Sequence, residues 1–214
     1  MGVGTVGVDD QETLWTIQPA SVWVQIERDG EARVDRRLTS HGAEGIWQYD
    51  WLTSQLTRRI GGYASGYPWW AYCAKPDLRV YRHGQIGEQV RIGFRPTPDS
   101  WVRFPLWMWD TIFSYRYLAQ SYEEFVEWTQ ELQSAVPDED TWPLPEPWRS
   151  RLEQSWERLF EPRWHNSCWL LGCDPDDPRM DGYWPAGVES GCRVAVGETL
   201  RESDVVDVRH FVGT

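Results

Sequence analysis

Lysine and asparagine are nearly absent. Lys75 and Asn166 are the sole examples, so the 21 basic residues are twenty arginines and one lysine. That bias fits a GC-rich genome and concerns the host more than the function. No apolar stretch approaches the ~20 residues that a membrane-spanning helix needs. The opening MGVGTVGVDDQ has neither the basic region nor the apolar run of a secretory signal. Gly2 suggests myristoylation, but Val6 stands where Ser or Thr is required. The expectation is a cytoplasmic protein without membrane attachment, whose four cysteines stay reduced. Catalytic signatures are also missing. There is no Gly-x-Ser-x-Gly and no Gly-x-x-x-x-Gly-Lys, so nucleophile-elbow and P-loop readings have no support. His41, His83 and His210 are scattered, and no internal repeat is visible. Positive charge is in deficit: the net charge is −12 and the pI about 4.8. Such a chain repels a phosphate backbone, so non-specific nucleic-acid binding is not expected.

Tryptophan is abundant, at 16 residues. Large aromatics bury much area for little rotamer entropy, so a well-filled core is available. Residues 1–11 read as a flexible tail and 12–214 as a single domain. TLWTIQ (13–18) has the β-branched and aromatic character of a strand. Pro19 then opens a helix with Ala20, Trp23 and Ile26 at helical spacing and Gly30 as its stop. Residues 31–45 read as a loop. A second helix, 47–60, carries the stripe Leu52, Leu56, Ile60. EQVRIGFRP (88–96) alternates Val90, Ile92 and Phe94, the clearest strand pattern in the chain. A short strand is expected at 100–104, then an apolar central helix at 106–119. The helix at 121–135 opens on the capping pair Ser121 and Glu124, with Tyr122, Phe125, Val126, Thr129 and Leu132 inward. A Pro-rich connector (137–147), a helix (148–160), a long irregular loop (161–191) and two strands (192–200, 204–212) complete the chain. Strands and helices do not alternate regularly. The expected class is therefore α+β, a twisted, mostly antiparallel sheet flanked by three or four helices.

YPWWAYCAKPDLR, Tyr67 to Arg79, concentrates aromatics beside the lone lysine. Period two places Trp69, Ala71 and Cys73 on one face and Trp70 and Tyr72 on the other. Such a strand is either sandwiched or lines a cleft on one side. The greater weight falls on a core strand followed by a turn, since Pro76 forbids helix at Lys75 and Asp77 favours turning.

LWTIQ with Trp23, YDWLTSQLTRR, YPWWAY with KPDLR, SWERLF and the terminal GETL…VVDVRHF occur in that order. Jointly they resemble a bacterial and viral family catalogued as domain of unknown function 3841, from about Leu14 to Phe211. That family usually closes on Gln-x-x-x-Trp-Glu; here Arg193 and Gly197 occupy the Gln and Trp places, leaving Glu198. The family brings no chemistry with it.

The opening strand–helix–Gly arrangement also resembles the start of several ADP-ribosyltransferase families. That resemblance implies an NAD-dependent transferase. Thr16 and Glu198 would be the catalytic positions, and Gln18, Trp69, Trp70, Tyr72 and Arg79 would hold the cofactor, Arg79 against the diphosphate. Against it stands the plain reading of Thr16 and Gln18 as sheet residues and Glu198 as a strand end. The alternative is a non-catalytic module whose aromatics bind a small molecule, a nucleic-acid base or a peptide, with Arg79, Arg82, Arg91 and Arg95 as a basic rim. Zinc on His165, Cys168, Cys173 and Cys192 is disfavoured, because the spacing is not a standard finger and buried free cysteines are common. Asp174, Asp176, Asp177 and Asp181 lack the terminal Glu of a calcium loop and read as a solvated run. Oligomeric state is not legible.

Overall fold

The computed structural model describes residues 13–34, 46–64, 66–81, 86–136, 144–165 and 192–213. The tail 1–11, most of the connector, Arg82, Cys168, Cys173 and the aspartate run lie outside them. So does the expected loop beyond His165.

The architecture is α+β, as expected. The strands are β1 (Leu14–Pro19), β2 (Glu31–Arg33), β3 (Trp69–Tyr72), β4 (Gly87–Phe94), β5 (Trp101–Pro105), β6 (Arg193–Gly197), β7 (Thr199–Arg201) and β8 (Val205–Gly213). Six of them form one antiparallel sheet in the order β5-β6-β3-β1-β4-β8, and β2 pairs with β7 in a small ribbon. The helices are α1 (Ala20–Asp29), α2 (Ile46–Arg59), the single turn α3 (Leu78–Tyr81), α4 (Leu106–Phe113), α5 (Tyr122–Ala135) and α6 (Trp148–Trp156). Gly30 ends α1 in the left-handed region (φ 77°), where its N–H reaches Ile26 O at 2.8 Å. A side chain is strained there, which is why the sequence stops the helix at glycine.

A core lies on each side of the sheet. On one face Leu14, Trp69, Ala71, Val90, Ile92, Phe94, Trp101 and Ala195 pack under Ile26 of α1 and under Ala32 and Leu200 of the ribbon. On the other, Phe104, Val194 and Val196 pack against α2, α4, α5 and α6 through Trp51, Leu52, Trp107, Trp109, Trp128 and Trp156. No buried residue of β1, β4 or β8 belongs to this second core. Among the described residues the helical core therefore draws only on the β3-β6-β5 half of its face; the β1-β4-β8 half, with Trp15 and Ile17 part-exposed and Gln89 and Arg91 buried, is termed the open half.

Four expectations are corrected. Residues 31–33 form β2 rather than loop, because Glu31, Ala32 and Arg33 find partners in Arg201, Leu200 and Thr199. The strand expected at 192–200 divides at Glu198, β6 staying in the large sheet while β7 leaves for the ribbon. The helix expected to reach Ala119 stops at Phe113, and Tyr115 takes φ 57°. Tertiary contacts override helix propensity here: Leu118 N–H donates to Ser155 Oγ, and Trp156 Nε1 donates to Arg116 O. In α5 the expected stripe is only part-buried, and the buried residue is Trp128, which it left out. Its ring stacks on Tyr117 at 4.3 Å and meets Trp148 edge-on, which turns the helix toward α6.

Candidate functional site

Strand register decides which of the expected site residues share a surface. β3 lies between β1 and β6, so the first strand, the aromatic strand and the strand ending at Glu198 are neighbours. The sheet itself separates the side chains. Thr16 and Trp69 are buried on the α1 side, where Gln18 Nε2 donates to Thr16 Oγ1 at 2.7 Å and Trp69 Nε1 donates to Ala32 O at 2.8 Å. Trp70 and Tyr72 point to the opposite face. Trp70 meets Phe104 and Trp109 edge-on or tilted, within the helical layer. Glu198 lies beyond the Trp69 end of β3, since Trp69 pairs with Gly197. Its carboxylate accepts from Ala64 N–H at 2.9 Å and sits 3.1 Å from the Arg33 guanidinium. Arg79 lies beyond the other end of β3. It is 89% exposed and forked onto Asp77, holding that carboxyl down at about 2. A single NAD pocket formed by all of these residues does not fit this arrangement, because the sheet stands between Trp69 and Tyr72. Of the expected cofactor residues on that opposite face, Tyr72 packs at the edge of the helical core beside Trp70, and Arg79, beyond the strand, is engaged with Asp77.

The open half brings together residues the sequence left scattered. Tyr72, Trp15, Gly93 and Asp207 form one row across β3, β1, β4 and β8, and Ile17, Arg91 and Arg209 form the next. The Trp15 ring leans over Gly93, where an added Cβ would lie 2.6 Å from it. Lys75, in the turn after β3, places its ammonium 4.4 Å from the Trp15 ring centroid, with the Arg91 guanidinium at 5.3 Å. Pro76 O accepts from Arg91 Nη1 at 3.1 Å, which fastens this turn over the sheet. One carboxylate oxygen of Asp207 serves both Lys75 (3.3 Å) and Arg91 (3.5 Å). Arg91 is only 8% exposed at its side chain, and its Nε has no partner. Arg209 stands directly opposite Arg91 and has no carboxylate of its own among the described residues. Asp77, whose carboxyl Arg91 helps to hold down, and its partner Arg79 belong to the same patch, so four cations face two carboxylates, a local positive excess on a chain of net charge −12.

Sequence reasoning passed over Trp15, Lys75, Asp207 and Arg209 as site residues. The available signal was the lone lysine just beyond the aromatic strand. What it lacked was register, because Asp207 and Arg209 lie more than a hundred residues further along the chain.

His165 and Cys192 are the described members of the soft-ligand set. His165 Nε2 lies 2.9 Å from Leu159 O and Nδ1 lies 3.3 Å from Arg193, so both ring nitrogens are engaged. Burial pushes the Cys192 thiol up, as does the nearby Asp110 carboxylate. Among the described residues no group of three or more His, Cys, Asp or Glu side chains is gathered to hold a metal ion, and no helix is long and apolar enough to cross a membrane.

No curated protein and no solved structure matches the chain. The family described as Domain of unknown function (DUF3841) matches residues 13–169, which takes in β1 to β5, α1 to α6 and the turn bearing Lys75. The chain belongs to the DUF3841 family.

Proposed function

We propose that the chain binds a nucleotide on the open half-face, NAD being the ligand to test first. The observation that supports this is the gathering of Lys75, Arg91 and Arg209 beside Trp15 on an otherwise acidic protein. Nucleotides combine flat rings with phosphates. Trp15 offers aromatic area, and the cations, with Arg79 in the turn beyond Lys75, answer a diphosphate through charge-assisted contacts. An anion would also supply the negative charge that Asp207 and Asp77 together do not.

Calorimetric titration of NAD and ADP is expected to give saturable binding that weakens as salt is added. Lys75→Ala should raise Kd about tenfold or more, the loss of one charge-assisted contact, while Lys75→Arg retains most of the affinity. No binding heat and no thermal shift at millimolar nucleotide would exclude the site. So would an unchanged Kd in folded Lys75→Ala.

A second reading, an NAD-dependent transferase of ADP-ribosyltransferase-like type with Glu198 as its carboxylate, rests on the adjacency of β6, β3 and β1 and needs NAD at the Trp69 end of β3, away from Lys75. Its readout is nicotinamide release, expected from the native chain and lost in Glu198→Gln with NAD binding retained. Binding without release would leave the non-catalytic reading alone.

A further inference from the structure

The two edges of the large sheet are unlike. β5 is five residues long and ends in Pro105, whose ring leads directly into α4. β8 is nine residues long, contains neither proline nor lysine, and among the described residues pairs only with β4. Val206 and Val212 on it are 53% and 58% exposed. Edge strands are normally guarded by shortness, proline, charged side chains or extra twist; the charges on β8, Asp207 and Arg209, are of opposite sign and so complement those of a second copy. β8 has neither of the first two guards, and its one register irregularity lies at the end, beside Gly93 and Phe94.

We infer that β8 pairs antiparallel with β8 of a second copy of this chain, giving a two-fold dimer with a continuous sheet. The charge pattern selects the copy and the register. A two-fold axis perpendicular to the sheet keeps each side chain on its own face, so it must pass at a residue. With the axis at Val208, Asp207 of each copy stands opposite Arg209 of the other, Val206 faces His210, and Val205 faces Phe211. An axis at Asp207 or at Arg209 sets like charges against each other, and one at His210 forms no ion pair. Opposite charges directly across a strand pair stabilise it, and like charges destabilise it. Arg209 gives the second argument. Within one chain it faces Arg91 and has no carboxylate among the described residues, and the partner copy brings one to that place. The dimer and a bound nucleotide would compete for Arg209, but the inference rests on the strand edge and its charges and is tested without nucleotide.

Sedimentation or light scattering over a concentration series tests it. The native chain is expected to move from 25.1 kDa toward twice that mass as concentration rises. Arg209→Asp sets a carboxylate of one copy opposite Asp207 of the other and should raise the dimer Kd at least about tenfold. Folding should persist, since the new carboxylate faces Arg91. Exchanging both charges, Asp207→Arg with Arg209→Asp, should restore association. A native chain that stays at monomer mass throughout overturns the inference. A folded Arg209→Asp protein that dimerises as tightly as the native chain overturns it too, by placing the interface elsewhere.

Discussion

Two glycines in this protein are defined by the indoles above them. Gly93 accepts the edge of Trp15, and Gly197 lies under Trp101, whose ring atoms would stand 2.5 Å from an added Cβ. Neither role is legible in the sequence. EQVRIGFRP reads correctly as a strand, yet Gly93 within it is silent until Trp15, 78 residues earlier, is placed in register. Both rings are rigid, so the neighbour cannot yield by bending a flexible tip. Gly93→Ala is therefore expected to displace Trp15, with a cost of about 1–3 kcal/mol from overpacking. Urea unfolding followed by circular dichroism measures the cost, and a blue- or red-shifted indole emission reports the displaced ring. An unchanged midpoint would mean that Trp15 has another rotamer of equal energy. The cation contacts to Trp15 would then be incidental to the fold.

At the level of elements, local signals are legible in the sequence and tertiary ones are not. Proline before α1, glycine after it and serine before α5 each placed a boundary. The end of α4 and the division at Glu198 were missed, because distant partners decide them: Ser155 and Trp156 capture 116–118, and Ala64 and Arg33 capture Glu198. The capping pair shows both kinds of information. Ser121 Oγ accepts from Glu124 N–H at 3.2 Å, as the pattern requires. The Glu124 carboxylate goes to Gln120 N–H, Tyr117 Oη and Arg158 instead of returning to Ser121. Ser121→Ala should consequently cost about 1 kcal/mol, an ordinary cap. Glu124→Gln should cost more, because it leaves the largely buried Arg158 without its carboxylate. Chemical denaturation of the two variants checks the order. The reverse order would show that Arg158 holds its place through Leu118 O and the Tyr117 ring alone.

The whole molecule is a sheet with unequal coverings. The aromatic excess of the sequence foretold a large core but not its division. Strands β3, β5 and β6 supply both faces, and only pairing order tells which tryptophan lies where. One consequence is that the helical side buries phenols. Burial is the leading cause that pushes Tyr49 up to about 12 and also raises Tyr63 and Tyr117 above the ordinary phenol range. These groups hold their protons more tightly folded than unfolded. Their share of stability is fully present below pH 10, the ordinary phenol value, and drains away as pH climbs through the raised values. For Tyr49 the difference between 10 and about 12 corresponds to on the order of 2–3 kcal/mol. Alkaline titration should accordingly show part of the tyrosinate absorbance arriving together with loss of the helical signal, the exposed phenols ionising earlier. Tyr49→Phe should flatten the decline in stability above pH 10. Phenols that all ionise near pH 10 in a chain that stays folded would show that the helical layer admits water to Tyr49, and that the aromatic cluster around it is looser than its edge-to-face contacts with Trp109 and Phe113 require.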